Sequence, residues 1–209
     1  MKRIILGLVT ITLVSCGGEN QKTSNSEVDK KEICKLRYDY LDTTVGFGGF
    51  KTTDKKEVKG QFEKFKVEGV VRAESAEGVF ANSTINIQTS SVKTGDSGRD
   101  DKLKTFFFGN MLETSSITGK VKEILADSNQ VIFTMKLNDV ESDVKMMWTV
   151  SGDTVNIEGM IDLANFKAQP AVDSLNIACY DLHRGADGES KTWSEAKVYV
   201  RSILKKDCK

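Results

Sequence analysis

Residues 131–161 read VIFTMKLNDVESDVKMMWTVSGDTVNIEGMI, and their alternation decides the fold. Val131, Phe133, Met135 and Leu137 fall on one side of an extended chain, because successive side chains of a strand point to opposite faces. Val144, Met146, Trp148 and Val150 repeat the pattern, with Lys145 and Thr149 on the other side. Val155, Ile157, Gly159 and Ile161 make a third run. Between the second and third runs, Ser151-Gly152-Asp153-Thr154 is a hairpin signal. Three adjoining runs with one apolar face each predict antiparallel strands whose apolar sides share a core.

The same period continues outward. Asp127-Ser128-Asn129 reads as a turn before the first run. Upstream, Leu36-Arg37-Tyr38-Asp39-Tyr40 and Thr84-Ile85-Asn86-Ile87-Gln88 alternate; downstream, so do Leu175, Ile177 and Cys179, then Ala196, Val198 and Val200 opposite Lys197, Tyr199 and Arg201. Many short strands at close spacing predict an all-β, antiparallel barrel, since closure removes exposed sheet edges. Ser97 to Glu113 departs from the pattern: Leu103, Phe106, Phe107 and Met111 stand at roughly helical spacing. This segment is expected to be a short helix and loop across one end of the barrel. Phe106-Phe107-Phe108 is expected to be buried, each ring contributing about 2 kcal/mol.

The N-terminus reads differently. Lys2 and Arg3 precede the apolar run Ile4–Val14, too short for a membrane span of about 20 residues but suited to a signal peptide. Leu13-Val14-Ser15-Cys16-Gly17 looks like a lipobox, so residues 1–15 are expected to be removed and Cys16 to carry the lipid anchor. Several acyl chains together hold a protein stably to a membrane, at about 0.8 kcal/mol per buried methylene. Residues 16–32 are polar and lack aromatics, the composition of a flexible tether; the domain is expected over 33–209. The expected location is the cell envelope, with Gly17 after the cysteine favouring the outer membrane.

Composition narrows the function. Lysines plus arginines and acids number 30 each, so losing Lys2 and Arg3 leaves a slight acidic excess and no basic face for nucleic acid. There is one histidine, His183, which argues against His-based metal clusters and triads. G-x-S-x-G, H-E-x-x-H, C-x-x-C and phosphate-loop motifs are absent, so no enzyme is expected.

Three stretches resemble the YceI-like family, exported lipocalin-like barrels that hold polyisoprenoid lipids. The first is Asp42-Thr43-Thr44-Val45-Gly46-Phe47 with Val58-Lys59-Gly60-Gln61-Phe62, similar to the family's opening hairpin. The second, and most specific, is Ser91-Val92-Lys93-Thr94-Gly95 with Arg99-Asp100-Asp101-Lys102-Leu103-Lys104-Thr105-Phe106-Phe107. The third is Gly159-Met160-Ile161-Asp162-Leu163-Ala164-Asn165-Phe166. Lys102 stands where the family usually has histidine. In the family's H-G-V hairpin, Asn138-Asp139-Val140-Glu141-Ser142-Asp143-Val144 keeps only the two valines.

The resemblance implies an amphiphilic lipid, of polyisoprenoid or isoprenoid quinone type, inside the barrel, and no other cofactor or metal. The candidate lining is Phe47, Phe50, Phe62, Phe65, Ile85, Ile87, Phe106, Phe107, Phe133, Met135, Met146 and Trp148. For any one of these, plain core packing competes with ligand contact. Arg99, Tyr180 and His183 are candidates to meet a head group; Arg99 and Asp100 could equally form a helix cap and an ion pair. The competing reading is an envelope lipoprotein with a filled barrel and no ligand. The expected partners are thus the membrane, through the anchor, and the lipid, with a homodimer left open. With Cys16 lipidated, three cysteines remain. First and last strands pair in a closed barrel, which favours a Cys34–Cys208 disulfide and leaves Cys179 as an inert buried thiol. The alternative is Cys34–Cys179.

Overall fold

The computed structural model describes residues 34–208. The expected signal peptide, Cys16 and the tether over 16–32 lie outside the described residues.

Apart from Leu36–Tyr40, whose strand ends at Arg37 in a separate ribbon and whose Tyr40 opens a turn, and Leu175–Cys179, the alternating runs form strands of one antiparallel sheet: β2 (Thr43–Lys51), β3 (Lys56–Phe62), β4 (Phe65–Glu68), β5 (Thr84–Gln88), β6 (Val92–Lys93), β7 (Ser116–Leu125), β8 (Gln130–Leu137), β9 (Val140–Ser151), β10 (Thr154–Asp162) and β11 (Thr192–Ile203). Its order is β4-β5-β7-β8-β9-β10-β11-β2-β3-β6. The two ends of that order meet. β4 continues β3 and β6 continues β5, while β4 pairs with β5 (Phe65 opposite Ile87) and β3 with β6 (Phe62 opposite Val92). Ser91 stitches the bend between them. Its carbonyl accepts from Glu63 N–H at 3.1 Å, and its hydroxyl accepts from Lys64 N–H at 3.0 Å and donates to Gln88 O at 2.7 Å. With β3–β4 and β5–β6 each counted as one bent stave, the sheet is an eight-stave barrel.

The central strands follow the expected parity, except that Val150, near the end of β9, is 43% exposed. In β8, Val131, Phe133, Met135 and Leu137 are all buried, alternating with partly exposed neighbours. Ile157 of β10 lies opposite Trp148 of β9. The hairpin between β9 and β10 turns at Gly152, whose φ of +62° suits glycine. Gly60 has another role. It lies opposite Phe47, and a Cβ there would fall 2.4 Å from Phe47 Cζ. Glycine lets the ring lie against the β3 backbone.

A two-stranded ribbon, β1 (Cys34–Arg37) with β12 (Lys205–Cys208), extends beyond the barrel. Cys34 and Cys208 face each other in it and are bonded, and Cys179 is free and buried. First and last strands therefore pair twice: β2 with β11 in the barrel wall, and β1 with β12 outside it. Leu36 ties the ribbon to the barrel by exchanging hydrogen bonds with Ala73, 2.7 and 3.1 Å long.

Inward side chains fall into two clusters along the barrel axis. One end is packed solid. The short helix α1 (Ala76–Phe80), capped by Ser75, inserts Val79 and Phe80 among Trp148, Val131, Val155 and Leu204. Phe80 meets the Trp148 ring edge-on at 6.1 Å and the Tyr38 ring at 6.0 Å. At the other end lie α2 (Ser97–Lys102), a wide turn over 103–107 and α3 (Gln169–Ala178), packed against Phe62, Phe108, Leu163 and Phe166. The helix-and-loop over 97–113 is as expected.

The segment holding Leu175, Ile177 and Cys179 is not a strand, contrary to expectation. Pro170 opens a helix there, a position that its fixed φ favours. Ala171, Val172 and Leu175 are buried while Ile177 is 76% exposed, as helical spacing requires and strand parity does not. Phe106 is a second correction: it is 38% exposed. The residues around it wind as a wide turn, which buries Phe108 and leaves Phe106 facing outward.

Candidate functional site

The end opposite α1 encloses a cavity of about 370 Å³. Its walls are inward side chains of the strands: Phe47 from β2, Val58 and Phe62 from β3, Ile117 from β7, Met135 and Leu137 from β8, Ile161 from β10, Ala196 and Val198 from β11. α3 closes one side with Val172, Leu175 and Cys179, which its 3.6-residue period places on one face. Leu103, Phe107 and Phe108 close another side. The rings of Phe47 and Phe62 lie 5.4 Å apart, those of Phe62 and Phe108 6.1 Å, and those of Phe107 and Phe108 5.0 Å.

The polar lining gathers at the mouth: Lys51 at the end of β2, Asp96 at the cap of α2, Arg99 and Lys102 on α2, His183, and Thr192 and Glu195 at the start of β11, with Leu182 and Trp193 beside them. α2 is held in place by two carboxylates. Asp96 caps it, accepting from Arg99 N–H at 2.9 Å. Asp100, 4% exposed, accepts from Thr94 N–H at 2.7 Å and from the Thr94 hydroxyl at 2.6 Å. Burial works to raise the Asp100 pKa, but the two Thr94 hydrogen bonds, with help from Lys93 and Lys104, hold it below the ordinary carboxylate value. Asp100 thus anchors the helix and does not line the cavity, while Arg99 does, with its guanidinium 3.8 Å from Asp96.

The His183 ring is fixed by a short chain of hydrogen bonds. Nδ1 lies 2.6 Å from the Thr192 hydroxyl, which itself donates to Asn176 Oδ1 at 2.9 Å. The single Thr192 proton is thereby used, so Nδ1 carries the donated hydrogen and Nε2 is left as an acceptor. Burial pushes the His183 pKa down to about 4, and Lys51, Lys102 and Arg99 push the same way. Burial also raises the Cys179 thiol, against the pull of the same three cations. Among the described residues, no group of three or more His, Cys, Asp or Glu side chains is gathered to hold a metal.

Of the candidate lining residues, Phe47, Phe50, Phe62, Phe107 and Met135 line the cavity. The others do not. Phe133 and Trp148 belong to the packed end. Met146 touches both clusters and lies over Gly159, whose added Cβ would come within 2.8 Å of its Cγ. Phe65 packs on the Tyr40 ring at 4.8 Å. Ile85 and Ile87 support the core from behind, and Phe106 faces outward. Among the head-group candidates, Arg99 and His183 are at the mouth. Tyr180 is half exposed beneath the Arg184 guanidinium, 5.1 Å from its ring centre, and off the lining. Sequence reading missed Lys51, the α3 face and Trp193. Ile161, Ala196 and Val198 were legible as inward-facing but not as lining.

A family model described as a YceI-like domain matches residues 37–189. Among solved structures, the chain is similar to a polyisoprenoid binding domain from Saccharophagus degradans implicated in plant cell wall breakdown. The identity is 16% and the TM-score 0.57, over 85% of this chain and 100% of that one. It is also similar to BcnA from Burkholderia cenocepacia, at 14% identity and TM-score 0.54, over 79% of this chain and 98% of that one. A comparison with curated proteins matches none.

Proposed function

The chain belongs to the YceI-like family, binding proteins rather than enzymes, and from that membership we propose that it holds one amphiphilic lipid in the hollow end of its barrel. The observation that carries this reading is the cavity itself: apolar walls, a polar mouth, and a volume of about 370 Å³. Ligand pockets commonly run from about 300 to 1,000 Å³ and combine apolar walls with a few placed polar groups. Apolar chain entering it leaves water at about 25 cal/mol per Å². A polyisoprenoid or isoprenoid quinone is the proposed ligand class, supported by the description of the Saccharophagus degradans relative. A tail longer than the cavity would pass out through the mouth. The packed end satisfies only half of what a filled, ligand-free barrel would need.

The proposal includes anchoring: Cys16 carries lipid, residues 16–32 form the tether, and the domain stays at the cell envelope, on the outer membrane. The test is native mass spectrometry of the purified full chain, followed by solvent extraction. A co-purifying lipid, or uptake of added isoprenoid, is expected. A folded chain that arrives empty and takes up none overturns the carrier reading. Cys16→Ser separates the second claim, since it should move the protein out of the membrane fraction and leave lipid uptake intact.

A further inference from the structure

We infer that the cavity mouth selects an anionic head group, so that the ligand is a single apolar chain ending in a carboxylate or a phosphate. This inference rests on the lipid-carrier reading and narrows it.

The charges around the mouth carry the argument. Lys51, Arg99 and Lys102 line it from two elements, β2 and α2. Two carboxylates line it as well, Asp96 and Glu195, and each is already engaged. Asp96 caps α2 and lies 3.8 Å from Arg99, and Glu195 is paired with Lys55. The neighbouring cations are also committed: Lys191 lies over the Trp193 ring at 3.8 Å, and Arg184 pairs with Asp181 at 3.4 Å. Lys51 and Lys102 are different. Among the described residues neither has a carboxylate within ion-pair distance, and Lys51 donates only to the Leu182 carbonyl, at 2.9 Å. Two ammonium groups flanking the entrance of an apolar cavity, beside Arg99, favour a negative group held there by charge-assisted hydrogen bonds.

The second strand of the argument is His183. The same three cations surround it, and its ring is neutral at ordinary pH. A neutral imidazole adds no counter-charge, so the excess positive charge of the mouth is left for a ligand. A ketone or alcohol head would leave that charge unanswered.

The test is calorimetric titration of the purified full chain, freed of co-purifying lipid, with four probes: dodecanoate, dodecyl phosphate, dodecanol and farnesol. The two anions are expected to bind at least about tenfold more tightly than dodecanol, the effect of one charged hydrogen bond. Added salt should shrink that advantage, and Lys51→Gln with Lys102→Gln should collapse it. Should the double variant fail to fold, Arg99→Gln and the salt series on the unaltered chain carry the test. Which anion binds better tells carboxylate from phosphate. Equal affinity for dodecanoate and dodecanol, or an advantage that survives the double substitution, overturns the inference while leaving a lipid carrier. No binding of any probe overturns the carrier reading itself.

Discussion

The two ends of the barrel are built from the same alternating strands and differ in what meets inside them. At one end Trp148, Phe80, Val131 and Leu204 fill the axis, with Trp148 only 2% exposed. At the other, Phe47, Phe62, Met135 and Val172 stand around a space. The strands alone do not decide this. α1 pushes Val79 and Phe80 into its end, whereas α3 lies across the other and presents the shorter side chains of Val172, Leu175 and Cys179. The packed end also bears the ribbon and its disulfide. One end is thus built for stability and the other for a guest.

Substitutions should separate the two. The largest stability loss is expected from Trp148→Ala, about 3–5 kcal/mol for a fully buried aromatic, read by urea unfolding. A loss below about 1 kcal/mol would mean that the packed end is not packed. Cys34→Ser with Cys208→Ser comes next, at about 2–5 kcal/mol, because the bond joins residues 174 apart. The reduced chain should nevertheless keep its lipid, since the ribbon lies beyond the packed end; loss of binding without unfolding would join what the comparison separates. At the hollow end the balance reverses. Ala196→Trp puts its ring into space that the cavity leaves, so the stability cost should stay within about 1–3 kcal/mol while lipid uptake disappears. Retained uptake would move the ligand elsewhere.

The last effect is one of pH. His183 titrates near 6.5 when unfolded and at about 4 in the folded chain. Between those values the unfolded chain binds a proton that the folded chain refuses. The contribution of His183 is therefore fully present above about 6.5 and is lost as pH falls towards 4. Melting temperature should decline over that window, and His183→Gln should flatten the decline; an unchanged slope would place the cause elsewhere.

Much of this was legible in the sequence, and the failures have a common cause. Residues 131–161 show β8, β9 and β10 with their turn, because period-two alternation needs no long-range information. Parity sorts side chains into inward and outward, but it does not give height along the axis. Phe133 and Met135 share a face and sit about 7 Å apart along the strand, yet one belongs to the packed end and the other to the cavity. Leu175, Ile177 and Cys179 satisfied strand parity by accident. The competing helical set of Ala171, Val172, Leu175 and Cys179, opened by Pro170, was the true signal. Lys51 gave no sign of its role, since it reaches the mouth only once β2 ends beside the loop that carries His183.

The measurement that bears most directly on the hollow end is methyl NMR of the chain labelled at its methionine methyls, titrated with farnesyl phosphate. Met135 lines the cavity, and Met147 is 60% exposed on the outer surface. A shift of the Met135 signal with Met147 unmoved is the predicted result. An unmoved Met135 signal while the lipid binds would contradict it.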